Sequence, residues 1–179
     1  TIESYGVGLD WSALNNRLLG SFDWFNRTTK DMIGPAPELS SILGVTPPSI
    51  NNTDMESRGW EFEIAWRDKI GEFSYGVKFV LSDDQQKILE YPNDNKTLSA
   101  YYDGRKIGQI WGYETVGIAK SQAEMEAHLA KVNQSSLGSN WSVGDIMYKD
   151  LNNDGKIDYG SYTLDNHGDY KVIGNSTPR

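Results

Sequence analysis

The residues best suited to chemistry lie in one short run, Asp150-Leu151-Asn152-Asn153-Asp154-Gly155-Lys156-Ile157-Asp158. Its spacing matches the first nine positions of an EF-hand-type loop. A hard cation such as calcium takes roughly six to eight oxygens, and side chains at positions one, three and five converge on one side of a tight turn. Asp150, Asn152 and Asp154 stand at those positions. Gly155 permits the bend, the Lys156 carbonyl adds an oxygen, Asp158 takes the ninth place and Ile157 is expected to anchor the loop in a small core. The twelfth place holds Ser161 where a bidentate acid belongs, so the standard loop is broken, and Asp165 or Asp169 could supply the missing carboxylate after an insertion. All-oxygen donors select calcium as a structural ion. An Asx-rich turn without metal uses the same residue types and stays open as an alternative.

Other constellations are weaker. Glu61 and Glu63 lie two apart on one strand face. Paired carboxylates can hydrolyse glycosides at separations of ~5 Å or ~6.5–9.5 Å, but a solvated or lumen-facing polar stripe explains them as well. His128 and His167 are the only histidines, and neither has a partner at metal-ligand spacing. Cysteine is absent, which removes thiolate zinc sites, disulfides and Cys nucleophiles. The chain shows no Ser-His-Asp grouping, P-loop or dinucleotide glycine motif, so no catalytic residue is expected. Tyr101, Tyr102, Trp111, Tyr113, Trp141 and Tyr148 can stack on sugar rings, or hold long loops together as small cores.

The elements that carry these residues read as all-β. Trp60, Phe62, Ile64 and Trp66 share one strand face, opposite Glu61, Glu63, Ala65 and Arg67. After the turn Asp68 to Glu72, the residues Phe73, Tyr75, Val77, Phe79 and Leu81 share a face again. An earlier hairpin alternates Val7, Leu9 and Trp11, turns at Leu14 to Arg17, and continues through Leu18, Gly20, Phe22 and Trp24. Leu19 and Phe25 break its polar face. Strands of about ten residues with aromatics beside short turns suit a transmembrane barrel, and an antiparallel soluble sandwich suits the same alternation. The predicted organisation is barrel strands over 1–84, with a Pro-rich loop over 33–56. A loop region follows over 85–179, with a helix over 121–132 and the calcium-type loop over 150–169. Ser121 and Glu124 form the capping box of that helix.

Composition narrows the partners. The 179 residues carry a net charge of −8 without a cluster of Lys and Arg, which argues against nucleic acid. No run approaches the ~20 apolar residues of a membrane helix. Thr1 begins in mid-pattern with no signal core, so the chain is expected to be either soluble or cut from something longer.

The order of motifs then points further. Gly6-Val7-Gly8-Leu9-Asp10-Trp11, Asn16-Arg17-Leu18, Phe22 to Phe25, Asn26 to Met32, Arg58 to Ile64, Ile110 to Tyr113, Gly144 to Asp158 and Val172 to Arg179 follow one another along the chain. In this order they resemble the late barrel region of SusC/RagA-type TonB-linked outer-membrane proteins. The resemblance implies a C-terminal-half piece of a 22-stranded antiparallel barrel in the outer membrane, with long extracellular loops, one short helix and lipid against its outer face. It implies import of glycans or peptides, a SusD-like surface lipoprotein as partner, and coupling to TonB through an N-terminal part outside this sequence. By the match to Val172-Ile173-Gly174, it also assigns the closing position of the loop to Asp169. The alternative reading is a soluble, calcium-stabilised, carbohydrate-binding β-sandwich.

Overall fold

The computed structural model describes residues 1–36 and 48–177. The segment 37–47, which falls inside the expected loop 33–56, lies outside the described residues. The chain forms two compact units. The first comprises Thr1–Pro92, Asp103–Ile107 and the C-terminal end from Thr177; the second comprises Asn93–Tyr102 and Gly108–Ser176.

The first unit is one antiparallel sheet in the order β1-β2-β3-β4. Its strands are β1 (Ile2–Ala13), β2 (Leu18–Gly34), β3 (Ile50–Ile70) and β4 (Phe73–Glu90). The two predicted hairpins are present, and they are longer than the alternation indicates. Periodicity fades at Asp83 because both faces become polar there, yet the ladder continues to Ile88 and Glu90. The expected loop 33–56 shortens for the same reason, since backbone pairing runs through Gly34 and Ile50 without an apolar face to announce it. The first turn places Leu14, Asn15 and Asn16 at φ of 55°, 57° and 64°, a left-handed run whose twist suits a tight hairpin. The second turn is only Gly71–Glu72, tighter than expected, because Asp68, Lys69 and Ile70 already pair with Tyr75, Ser74 and Phe73.

Register aligns the side chains into rows across the sheet. On one face the rows are Leu18–Trp66–Val77, Trp11–Gly20–Ile64–Phe79, Leu9–Phe22–Phe62–Leu81 and Val7–Trp24–Trp60–Asp83. On the other face the central rows are Gly8–Asp23–Glu61–Ser82 and Asp10–Ser21–Glu63–Val80. The indole of Trp11 lies across Gly20, where a Cβ would sit 2.2 Å from its Cζ2. Phe25 covers Gly59 in the same manner from the opposite face, with its Cζ 2.7 Å from the position of a Cβ there. Phe25 breaks the polar pattern because a backbone without a side chain needs a cover.

The second unit is built from short elements. These are β5 (Gln109–Tyr113), β6 (Thr115–Ile118), α1 (Gln122–Leu129), β7 (Ile146–Tyr148) and β8 (Tyr170–Asn175), with β5 paired to β8 and β6 to β7. Its core is Ala119, Met125 and Met147, against which Leu129 and Trp141 pack. The expected cap forms with its return bond displaced by one residue: Ser121 Oγ accepts from Glu124 N–H at 3.2 Å, and Glu124 Oε2 accepts from Lys120 N–H, not Ser121 N–H, at 2.7 Å. The helix ends before the expected residue 132 because the chain is recruited elsewhere. Asn133 N–H donates to the Gly155 carbonyl and the Asn133 carbonyl accepts from Ile157 N–H, both at 2.8 Å.

Candidate functional site

Two places in the molecule carry the chemistry, and each belongs to one unit. In the second unit the run from Asp150 to Asp158 folds as the spacing demands. Asp150 accepts from the N–H groups of Asn153 (2.6 Å) and Gly155 (2.8 Å). Asn152 Oδ1 accepts from Asp154 N–H at 3.0 Å, and Asp154 Oδ1 from Lys156 N–H at 2.8 Å. Asn153 at φ 60° and Gly155 at φ 78° supply the left-handed bends. Ile157 is fully buried, as expected, and bonds to Asn133 secure the loop beside it.

The structure also separates the two acids proposed to close the loop. Asp165 points away and pairs with Lys96 at 2.8 Å. Asp169 is 1% exposed and points at the loop, where Oδ1 accepts from Leu151 N–H at 2.6 Å and Oδ2 from Asp158 N–H at 3.1 Å. Its own N–H donates to the Asp158 carbonyl at 2.8 Å. The intervening segment pairs with the chain at Lys96 to Leu98: Leu98 N–H donates to the Tyr162 carbonyl at 3.0 Å and Leu164 N–H to the Lys96 carbonyl at 2.8 Å. Residues 159–168 are thus looped out, and Asp169 returns against Leu151 and Asp158.

As a donor set the loop is oxygen-only: Asp150, Asn152, Asp154, the Lys156 carbonyl, Asp158 and Asp169. Each side-chain oxygen that accepts a backbone N–H keeps a second lone pair. Among the described residues, no group of three or more His, Cys, Asp or Glu side chains is arranged to hold a metal; Asn152 and a carbonyl are integral to this set.

Three further features of the second unit lie outside the acidic loop, and of these the aromatic cluster contains Trp111, Tyr113 and Tyr148, expected from the sequence to hold loops together. Gln134 is fully buried; its Nε2 donates to the Ile146 carbonyl at 3.1 Å, and its Oε1 accepts from Tyr148 N–H at 3.2 Å and meets His128 Nε2 at 3.2 Å. Glu114 lies between Lys171 and Lys149, whose ammonium groups hold its carboxyl well below the usual range, at about 2. The aromatics form a continuous cluster, with Tyr113–Tyr170 centroids at 5.1 Å, Tyr113–Tyr148 at 5.7 Å and Trp111–Tyr170 at 5.9 Å. Burial pushes the Tyr113 hydroxyl up to about 12, with Tyr170 and Asp158 adding to the effect. No sequence pattern marks Gln134 or Glu114, because both are ordinary polar residues until partners fold onto them.

In the first unit the site is the sheet itself. The apolar rows share one face: Val7 (71%), Leu9 (62%), Phe79 (54%) and Leu81 (49%) are exposed on a face that is almost wholly hydrocarbon. On β4 the run from Phe73 to Leu81 extends ~27 Å at ~3.4 Å per residue, on the order of the ~25 Å apolar band of a membrane barrel. Trp24 and Trp60 close the band at one end, and Trp66 with Tyr75 and Phe73 at the other. This is the distribution of interfacial aromatics. The opposite face carries Asp10, Asp23, Glu61 and Glu63 in two adjacent rows, with Glu63 paired to Lys78 at 2.7 Å.

Comparison with known proteins matches this architecture. The family described as TonB dependent receptor-like, beta-barrel, matches residues 1–175. TonB-dependent receptor P3 of Formosa agariphila is 26% identical over 99% of this chain, and receptor P39 of the same organism is 24% identical over 94%. The chain spans 18% of the length of each of these relatives. Among solved structures, the RagAB peptide importer in its closed-closed state aligns over 98% of the chain and 17% of its own, with a TM-score of 0.56 and 16% identity. A second RagAB peptide transporter structure aligns over 66% of the chain and 14% of its own, with a TM-score of 0.52 and 21% identity. An antiparallel sheet with a lipid-compatible outer face, matched by the barrel model along nearly its whole length, is what this sequence encodes, and the chain belongs to the TonB-dependent receptor β-barrel family of the outer membrane.

Proposed function

We propose that this chain is part of the wall and outer loops of an importer that carries oligosaccharides or peptides across the outer membrane. A SusD-like surface lipoprotein is its partner, and TonB supplies the energy. The observation that supports this best is the four-strand belt of exposed hydrocarbon, which a water-soluble protein would bury. The belt meets lipid and the acidic rows line the lumen. The short turns at Leu14–Arg17 and Gly71–Glu72 face the periplasm, and the long connections face the exterior, by the usual asymmetry of such barrels. The soluble sandwich is disfavoured by the same belt. The role is transport and not catalysis: Glu61 and Glu63 sit in open polar rows, Glu63 engaged by Lys78.

The test is uptake by cells that carry or lack the full-length receptor, offered labelled oligosaccharides and labelled peptides. Receptor-dependent uptake of one class names the substrate. Uptake of neither class would reject the importer reading, and hydrolysis lost in Glu61→Gln or Glu63→Gln would replace it.

We further propose that the loop from Asp150 to Asp169 binds calcium as a structural ion. Asp150, Asn152, Asp154, Asp158, Asp169 and the Lys156 carbonyl hold it, and the ion's role is to neutralise this acidic turn and stiffen the outer unit. Calorimetry with calcium on the receptor should give binding heats that Asp150→Ala and Asp154→Ala abolish; equal heats in all three would reject the site.

A further inference from the structure

Of the aromatics that the sequence offers to sugar rings, Tyr102 is buried, and Trp111, Tyr113, Trp141 and Tyr148 pack against other rings. Those side chains are committed to the interior of the second unit. The same line of rings continues to the surface through residues that no spacing singles out. Tyr170 meets Tyr162 at 5.8 Å, and Tyr162 meets Tyr159 edge-on, at 5.8 Å and 86°. Tyr159 ends the line and is 50% exposed. An edge-on contact covers at most one face of a ring, so Tyr159 keeps a face for a ligand.

The backbone beneath this ring is firmly held. Tyr162 N–H donates to the Tyr159 carbonyl at 3.0 Å and closes a turn in which Gly160 and Tyr162 both take φ of 56°. Left-handed backbone is uncommon for a tyrosine and persists where the surroundings enforce it. Here Ser161 N–H donates to the Asn166 carbonyl at 3.0 Å, Leu98 N–H to the Tyr162 carbonyl at 3.0 Å and Leu164 N–H to the Lys96 carbonyl at 2.8 Å. A ring fixed before binding gives up little conformational entropy when a ligand arrives. On the same turn Ser161 and Asn166 are exposed, and Asn166 Nδ2 donates to Ser161 Oγ at 3.0 Å. The Ser161 hydroxyl proton and the second amide proton of Asn166 stay available to a ligand. The stretch 158–169 holds Asp158, Asp165 and Asp169 but no Lys or Arg. Lys96 reaches it and is engaged by Asp165 at 2.8 Å. An anionic ligand meets like charge here.

We propose that Tyr159 is a stacking subsite for an uncharged sugar ring, with Ser161 and Asn166 bonding to its hydroxyls, and hence that the cargo is a neutral oligosaccharide. A pyranose presents C–H groups to the negative face of an aromatic ring and hydroxyls around its rim, and the turn complements both. A peptide is recognised instead through a row of free backbone groups. The N–H groups of Gly160, Ser161, Tyr162 and Thr163 are already bonded within the unit. The assignment rests on the importer reading and selects between its two cargo classes.

The test uses the full-length receptor in phosphatidylcholine nanodiscs and saturation-transfer NMR. Maltohexaose, cellohexaose and laminarihexaose are the neutral probes, hexagalacturonate the acidic one and hexaalanine the peptide. At least one neutral probe should bind. Tyr159→Ala should weaken that binding about tenfold, whereas Tyr159→Phe, which keeps the ring, should stay within about twofold of wild type. No binding of any neutral probe, equal affinity in Tyr159→Ala, or tighter binding of hexagalacturonate or hexaalanine would overturn the subsite. Uptake by cells separates this from the wider reading. Wild-type receptor that imports labelled peptides and not oligosaccharides sinks the subsite alone; import of neither sinks the importer reading with it.

Discussion

Gly168 shows how a single residue decides whether the acidic loop can close. It sits at φ 55°, and a Cβ there would lie 2.4 Å from the Asp158 carbonyl oxygen. Both conformation and space therefore require glycine, and the close approach is what delivers Asp169 to the loop. Gly168→Ala should lower the calcium affinity of the receptor by about tenfold or more, equivalent to ~1.4 kcal/mol, in the calorimetric titration described above. Glu114 gives a second prediction at this scale. Hydrogen bonds from Lys171 and then Lys149 depress its carboxyl from 4.5 to about 2. A depressed acid stabilises the fold fully above its unfolded value and loses that contribution as pH falls through its folded value. The second unit should therefore lose stability between about 4.5 and about 2, and Glu114→Gln should flatten that part of a pH-dependent unfolding curve. An unchanged slope in the variant would show that the two lysines do not control this acid.

Among the elements, the strands of the sheet are defined by the contrast between their faces. Phe62 lies mid-belt between Phe22 and Leu81, whereas its neighbour Glu61 lies on the other face between Asp23 and Ser82. A cation on the lipid side near the midplane costs ~2–4 kcal/mol, and the lumen side tolerates polar change. Phe62→Lys should thus destabilise the folded receptor by that amount in urea unfolding from lipid vesicles, and Glu61→Lys should leave it within ~0.5 kcal/mol of the parent. Similar costs for both would mean that the faces are not differently solvated. Helix α1 obeys another rule. Its start is local, written in Ser121 and Glu124, while its end is imposed by the pairing of Asn133 with the acidic loop.

At the scale of the whole molecule, the two short turns of the sheet face the periplasm and its long connections face the exterior in the proposed orientation. A cysteine-free receptor carrying Ser139→Cys should react with a membrane-impermeant maleimide on intact cells. Asn16→Cys, in the first turn, should react only after the outer membrane is opened. The reverse labelling would invert the orientation.

Alternation of side chains along Trp60 to Leu81 was sufficient to define the central hairpin, because period-2 patterning is a local consequence of one face meeting hydrocarbon. The EF-hand-type spacing likewise predicted the turn from Asp150 to Asp158, since its hydrogen bonds join residues only two to five apart. Capping of α1 was legible for the same reason. Tertiary structure decided the rest. It extended the strands beyond Asp83 and into 33–56, where backbone pairing persists after the hydrophobic contrast has gone. It laid the Asp169 carboxylate on the N–H groups of Leu151 and Asp158, a placement that depends on how residues 159–168 pair with Lys96 to Leu98. It also buried Gln134 against the Ile146 carbonyl and Tyr148 N–H and set Glu114 between Lys149 and Lys171, partners that no local spacing rule reaches.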